Sequence, residues 1–423
     1  MSEMPQRRLR VMAFGVGAFT QGMLEILREQ GAEVATYLTR DYAHAAPGFA
    51  GPTFDHLQFP DPLEVLKQWP ADFMLPMSID WALQPWTQKL LDSGMPIFCP
   101  SGEGLRLERE RDFARELCRE HGIAFPKSFF ARTRAEAEII VRREGVPFVL
   151  KNPLCAPLSP IQTIVCETVE DTLSWLPRLD DREGVFLQEY MGRAEAGHIA
   201  FVSGGELYSV VTNQEYKRAF AGNMGIVAGA PLGGLVEKDP TDKYGLAREL
   251  LRPLMPWFRK TGFHGPVQVT AIRRDNRWYV LEYNVRIGVT SGPMILRLLE
   301  KPLEVVHAVC RNEPLDLRFH ADRNFGCNLT LAGFGYPYTT LLGPRVPVEF
   351  TAPIDCDLWW NEIERDAEGR TWTTGHRLCD VIAVRNTLAE AITDARTNIA
   401  RIRCLGSYYR DDVGQSLWPP GEA

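Results

Sequence analysis

The sequence predicts a multidomain protein of mixed α/β and α+β class. It has an N-terminal domain built on a parallel sheet, a central domain carrying a lid module, and a small C-terminal α+β domain. Three observations predict this. At 423 residues the chain exceeds what one simple core holds. Its first hundred residues alternate strand-like and helix-like segments, which implies parallel strands joined by helical crossovers. After residue 105, strands and helices group into α+β blocks.

In the first block, residues 9–14, 33–38, 73–77 and 96–99 read as strands, and 21–30 and 85–93 as helices. The turn Gly15-Val-Gly17-Ala-Phe19-Thr20-Gln21-Gly22 joins the first strand to the first helix. Such a turn can present backbone N–H groups to an anion, or it can simply be a tight turn. It is not a GxGxxG fingerprint, because position 20 is Thr, and no acidic residue closes the next strand. A dinucleotide site is disfavoured.

A long charged helix is expected over 105–121, ended by Gly122. Strands at 127–131, 147–151, 162–166 and 185–190, with helices at 134–144 and 169–176, form a lid module over about 127–192. The next block has strands at 199–202, 206–212, 267–273 and 278–284, with a helix at 244–260. The last hundred residues contain short strands, many Gly and Pro, and one helix at 388–402. The expected domains are 1–104, 105–318 and 319–423.

The net charge is −7 and no basic block stands out, so a nucleic-acid partner is not expected. No apolar run approaches the length of a membrane span, and the N-terminus reads as a strand rather than a signal peptide. Nine Cys are scattered without a CxxC, which fits free thiols in a reducing cytoplasm.

The most informative stretch is Trp278-Tyr-Val-Leu-Glu282-Tyr-Asn284-Val-Arg286-Ile-Gly288. Side chains alternate along a strand, so Glu282 and Asn284 share a face about 7 Å apart. Two oxygen ligands so placed suit Mg²⁺, which takes one or two protein oxygens together with phosphates and water. Arg286 brings a guanidinium to the same anion. The other reading of this pattern is a half-exposed strand with a polar outer face.

The order of elements resembles the ATP-grasp superfamily and, within it, the phosphoribosylamine–glycine ligase family. Four segments carry the resemblance. Asn213-Gln-Glu-Tyr-Lys-Arg218 resembles the family's SQDHKR, and Val280–Gly288 its IEFNxRFG. Leu331-Ala-Gly-Phe-Gly-Tyr-Pro337 resembles LAsxGYP, and Gly406-Ser-Tyr-Tyr-Arg-Asp-Asp-Val-Gly414 resembles GxxYRxDIG.

The resemblance implies ATP, with Mg²⁺ or Mn²⁺, as cofactors. Lys151 and Arg111 would bind phosphates; the segment with Glu189, Tyr190 and Met191 would hold adenine, and Glu195 the ribose. Lys217 and Arg218 would lie near the transferred phosphate, Glu282 and Asn284 would hold the metal, and Arg286 would stabilise an acyl phosphate. On the residues alone, Lys151 also reads as a snorkelling lysine and Glu195 as an ordinary exposed acid. The implied activity is a carboxylate–amine ligation yielding an amide, ADP and phosphate, in a cytoplasmic monomer or homodimer.

The departures cluster in the parts that would read the substrates. Phe19-Thr20-Gln21 replaces the first turn's Gly-Arg-Glu-His, and Val289-Thr290-Ser291 replaces Asp-Pro-Glu after Gly288. Pro153–Pro160 replaces the glycine-rich loop. Gly17, Phe19, Thr20, Gln21, Thr290 and Ser291 are the expected acceptor-site residues, and the small carboxylate and amine substrates differ from phosphoribosylamine. The alternatives are the purine-pathway ligase itself and a non-catalytic nucleotide-binding protein.

Overall fold

The computed structural model describes residues 7–40, 51–156, 159–333, 335–339, 341 and 343–415. Pro157 and Leu158 of the Pro-rich loop, and Phe334 of the 331–337 segment, lie outside the described residues.

The N-terminal strands form a parallel sheet in the order Thr53–Asp55, Glu33–Leu38, Arg10–Phe14, Phe73–Pro76. The order reverses between the last two strands, so their carboxyl ends open a crevice. Residue 97 adds only a single parallel bridge, to Met74, where a strand was expected.

The centre is an eight-stranded sheet. Its order is Arg277–Asn284, Gly265–Arg274, Glu195–Ser203, Glu206–Glu215, Gly233–Lys238, Phe325–Ala332, Arg377–Arg385, Asp357–Trp360, with every pair antiparallel. Three of these strands come from the last hundred residues. One face of the first strands is apolar: Ala196, Ala200, Val269, Ala271, Trp278, Val280 and Tyr283 pack against Leu246, Leu250 and Phe258. The other face is polar and floors a cavity. A smaller antiparallel sheet roofs it, in the order Ser128–Ala131, Val185–Glu189, Phe148–Lys151, Ile164–Val165. The helices Arg134–Glu144 and Val169–Trp175 pack onto that roof and share its small core, with Ala137, Val141, Phe148 and Leu187.

Two expected helices are broken. The one over 105–121 is two helices, Glu103–Arg109 and Arg111–Glu120. Between them Glu110 is extended, at φ −116° and ψ 101°. The freed backbone pairs with the Pro-rich loop: the Cys155 N–H donates to the Arg109 carbonyl at 2.8 Å and the Arg111 N–H to the Pro153 carbonyl at 3.2 Å. The helix over 244–260 becomes Leu246–Leu250, a 3₁₀ turn at Arg252–Leu254 and Met255–Thr261. Pro253 and Pro256 lack the N–H that a continuous helix needs. All nine Cys are free thiols, and among the described residues no helix is long and apolar enough to cross a membrane.

The closing segment reaches back to the middle of the chain. Arg410, fully buried, forks onto Asp412 and donates to the Arg218 carbonyl and to Asn223 Oδ1, each at 3.1 Å. Its guanidinium lies 4.9 Å from the Tyr216 ring centre. Asp412 also accepts from the Gly222 N–H, and the Gly414 N–H donates to the Tyr216 hydroxyl. Removing one partner of a buried ion pair leaves the other charge uncompensated. Arg410→Leu is therefore expected to lower stability by about 3 kcal/mol, read as a lower midpoint in urea denaturation.

Candidate active site

The strand Arg277–Asn284 holds a β-bulge. Thr270 pairs with Glu282 and Ala271 with Val280, which leaves Leu281 as the extra residue. A bulge re-aims the groups beside it. The Leu281 carbonyl turns to the roof, where it accepts from Lys151 Nζ at 3.2 Å and from Gln188 Nε2 at 3.2 Å. Glu282 and Asn284 keep one face, opposite Thr270 and Gln268, and both line the cavity.

That cavity has a volume of about 350 Å³. Arg111, Lys151, Glu189, Tyr190, Met191, Glu195, Lys217, Arg218, Glu282, Asn284 and Arg286 all line it. Lys151 is buried, and its ammonium donates to Gln188 Oε1 at 2.7 Å. Burial, aided by the Arg111 cation, pushes its pKa down to about 8. Lys217 lies among three carboxylates: Glu282 at 3.1 Å, Glu195 at 3.2 Å and Glu215 at 3.8 Å. Burial opposes its charge, but Glu195, Glu282 and Glu215 outweigh that and raise its pKa. Burial likewise opposes ionisation of Glu282, and Lys217, Lys151 and Arg111 override it, holding the carboxyl below the usual range. Arg111 approaches Glu282 to 3.9 Å while its Nε donates to the Asn152 carbonyl at 2.8 Å. The helix break at Glu110 thus sits immediately before a cavity cation.

Arg218 donates to the Gly225 carbonyl at 2.9 Å and pairs with Glu167 at 3.4 Å. Arg286 is held by Glu108, a buried acid on Glu103–Arg109 that accepts from Arg286 Nε at 3.2 Å and from the Val285 N–H at 2.8 Å. Where the roof strand Val185–Glu189 ends, the Glu189 and Tyr190 N–H groups donate to the Lys127 and Pro147 carbonyls. Glu195 pairs with Lys217, so in this state its carboxylate turns to the cationic end of the cavity.

Three contributors escaped the sequence reading. Glu215 lies within the segment 213–218, two residues before Lys217. Gln188 lies within the 187–191 segment expected to hold adenine, immediately before Glu189. Glu108 carried no local signal, since it meets Arg286 across 178 positions.

The six expected acceptor residues, Gly17, Phe19, Thr20, Gln21, Thr290 and Ser291, do not line this cavity. The Phe19 ring is buried over Gly292 beside Met23. Thr20 is buried, its hydroxyl donating to the Val16 carbonyl, and Gln21 accepts from the Trp360 N–H. The Ala18 N–H, at the start of the helix, donates to Asn361 Oδ1 at 2.8 Å, so a distant side chain takes the place an anion would occupy at this turn. Thr290 and Ser291 are buried beneath Gly234 and Gly288.

His198, Asp239 and Asp242 cluster on the opposite, core-facing side of the central sheet. The Asp242 oxygens accept from the Ala247 and Arg248 N–H groups, and Asp239 accepts from the Lys243 N–H and the Thr212 hydroxyl. These bonds cap the turn that opens helix Leu246–Leu250.

The crystal structure of phosphoribosylamine–glycine ligase from Thermotoga maritima superposes with a TM-score of 0.76 at 21% identity, covering 96% of this chain and 100% of that one. The chain has the ATP-grasp fold. The biotin carboxylase–nucleotide complex from Campylobacter jejuni shares this ATP-grasp architecture, with a TM-score of 0.68, 12% identity, and 95% and 93% of the two chains covered. In sequence the chain is similar to phosphoribosylamine–glycine ligases. It is 25% identical to that of Ralstonia nicotianae over 338 residues, 76% of this chain and 78% of the relative. It is 26% identical to that of Synechocystis over 346 residues, 78% and 80% of the two chains. No family profile matches the chain.

The depressed Lys151 pKa has two consequences. Below about 8 the ammonium is charged and would attract a phosphate in the cavity; above it the neutral amine would not. Mg–ATP affinity, measured by calorimetry, is expected to fall as pH rises through that value, and Lys151→Met to bind weakly at every pH. In the unfolded chain Lys151 binds its proton more tightly, so its contribution to folding stability is least favourable below about 8 and improves as pH rises towards 10.5.

Proposed function

We propose that the protein is an ATP-dependent ligase that joins a carboxylate to an amine through an acyl phosphate, on substrates other than phosphoribosylamine. One observation carries this reading. Five cations, Arg111, Lys151, Lys217, Arg218 and Arg286, converge with Glu282 and Asn284 in a cavity roofed by the small sheet. Cationic side chains outnumber the carboxylates among the residues that line this cavity, and a polyphosphate would balance the excess.

Glu282 and Asn284 supply hard oxygen donors, and Glu282 already carries a cation at 3.1 Å, so the pair fits Mg²⁺. When bound, the metal would neutralise phosphate oxygens. Lys151 and Arg111 would grip the phosphates from the roof side. Lys217 and Arg218 would meet the transferring phosphoryl group, and transfer to the carboxylate would give the acyl phosphate. Arg286, oriented by Glu108, would stabilise the charge that develops on that group as the amine attacks the carbonyl carbon. Amide formation then releases phosphate, and no covalent protein nucleophile is required.

The altered-substrate part of the reading rests on the N-terminal turn. Its helix start is capped by Asn361, and Phe19 is sunk in the core. Neither offers a ribose phosphate a charged partner. Names of the relatives favour the alternative, glycine and phosphoribosylamine as substrates.

The test is ADP release with a panel of amino acids and small acids, each with ATP, Mg²⁺ and hydroxylamine to trap the acyl phosphate as a hydroxamate. Acid-dependent hydroxamate formation is expected, and Glu282→Gln should reduce it roughly 100-fold without unfolding the protein. Absence of nucleotide binding by the wild type would overturn the ligase reading. Efficient turnover of glycine with freshly generated phosphoribosylamine would overturn only the claim of altered substrates.

A further inference from the structure

A second, much smaller cavity of about 10 Å³ lies beside the large one, against the central sheet. Glu195, Ala196, Gly197, Asn213, Glu215, Lys217 and Thr270 line it. It is about the size of one water molecule or one monovalent ion. Two of its lining oxygens, Asn213 Oδ1 and Thr270 Oγ1, have no hydrogen-bond partner among the described protein atoms. Both residues are buried, at 2% and 4% exposure. A buried acceptor left unmatched is unfavourable, so two of them facing one small space indicate an occupant.

The local backbone keeps the space open. Asn213 and Gly197 are paired across adjacent strands, and a Cβ on Gly197 would overlap Asn213 Oδ1. Glu195 and Glu215 add two carboxylates, and among the described residues the only cation on the wall is Lys217. Lys217 is also the group expected to turn to the transferring phosphate. When it does, Glu195 and Glu215 lose their ammonium partner and the wall is left with oxygen ligands and a net negative charge.

We propose that this cavity binds a monovalent cation of sodium or potassium size, which replaces the Lys217 ammonium when that side chain engages a bound nucleotide. Asn213 Oδ1, Thr270 Oγ1 and the Glu195 and Glu215 carboxylates are the ligands. A divalent ion is the poorer fit. Mg²⁺ demands octahedral geometry and keeps several waters, for which a one-atom cavity has no room. The cation and the nucleotide are coupled, because each favours the same position of Lys217. The proposal rests on the nucleotide reading of the large cavity.

The test measures Mg–ATP affinity of the full chain by calorimetry at constant ionic strength, with potassium, sodium or tetramethylammonium chloride as the only monovalent salt. Affinity about tenfold higher in potassium or sodium than in tetramethylammonium is expected. Thr270→Val, which removes one ligand and keeps the shape, should abolish that difference while still binding Mg–ATP as the wild type does in tetramethylammonium. Gly197→Ala, which plugs the cavity, should do the same. Equal affinity in all three salts would overturn the proposal and assign the cavity to a buried water. A cation effect that survives in both variants would overturn it as well, by moving the cation elsewhere. No binding of Mg–ATP in any salt would instead overturn the nucleotide reading.

Discussion

Charge balance around Glu282 is the constraint on which the site depends. Its carboxylate faces Lys217 at 3.1 Å and Arg111 at 3.9 Å, with Lys151 close enough to help hold it ionised. These three cations come from three places: a strand end on the floor, the start of a helix at the side, and a strand of the roof. Taken singly, none of them is stable in a half-dry cavity. Together with Glu195, Glu215 and Glu282 they form a network in which each burial is offset by a neighbour. The electrostatics therefore help hold roof and floor in register, as the bond from Lys151 to the Leu281 carbonyl does directly.

Much of this was legible in the sequence because it depends on local periodicity. The alternation of residues 278–284 placed Glu282 and Asn284 on one face, and the bulge at Leu281 preserves that outcome between 282 and 284 while shifting the residues before it. The strand at 33–38 and the helix at 134–144 emerge with the bounds their patterns indicate. The ordered string of motifs made the ATP-grasp fold readable well before any contact was known.

What was not legible depends on partners remote in the chain. The charged run of 105–121 continues through Glu110, so nothing local announces that the helix opens there to receive the 153–155 backbone. Glu108 acquires meaning only beside Arg286. Phe19 looked like a cleft residue because it follows a glycine turn at the carboxyl end of a strand. Its burial is decided by Gly292 and Met23, and the turn's exposed N–H by Asn361, 343 residues away. Three strands of the central sheet, at 325–332, 357–360 and 377–385, were similarly hidden among short, Gly- and Pro-punctuated segments.

The clasp between Arg410 and the 216–223 segment sets an order on biosynthesis. Lys217 and Arg218 are translated well before the buried guanidinium that anchors their backbone, which lies 192 positions beyond Arg218. A nascent chain thus carries these two cavity-lining cations for some time without the anchor that holds their backbone. The cavity wall at Lys217 and Arg218 thus gains its backbone anchor only after Arg410 has been made.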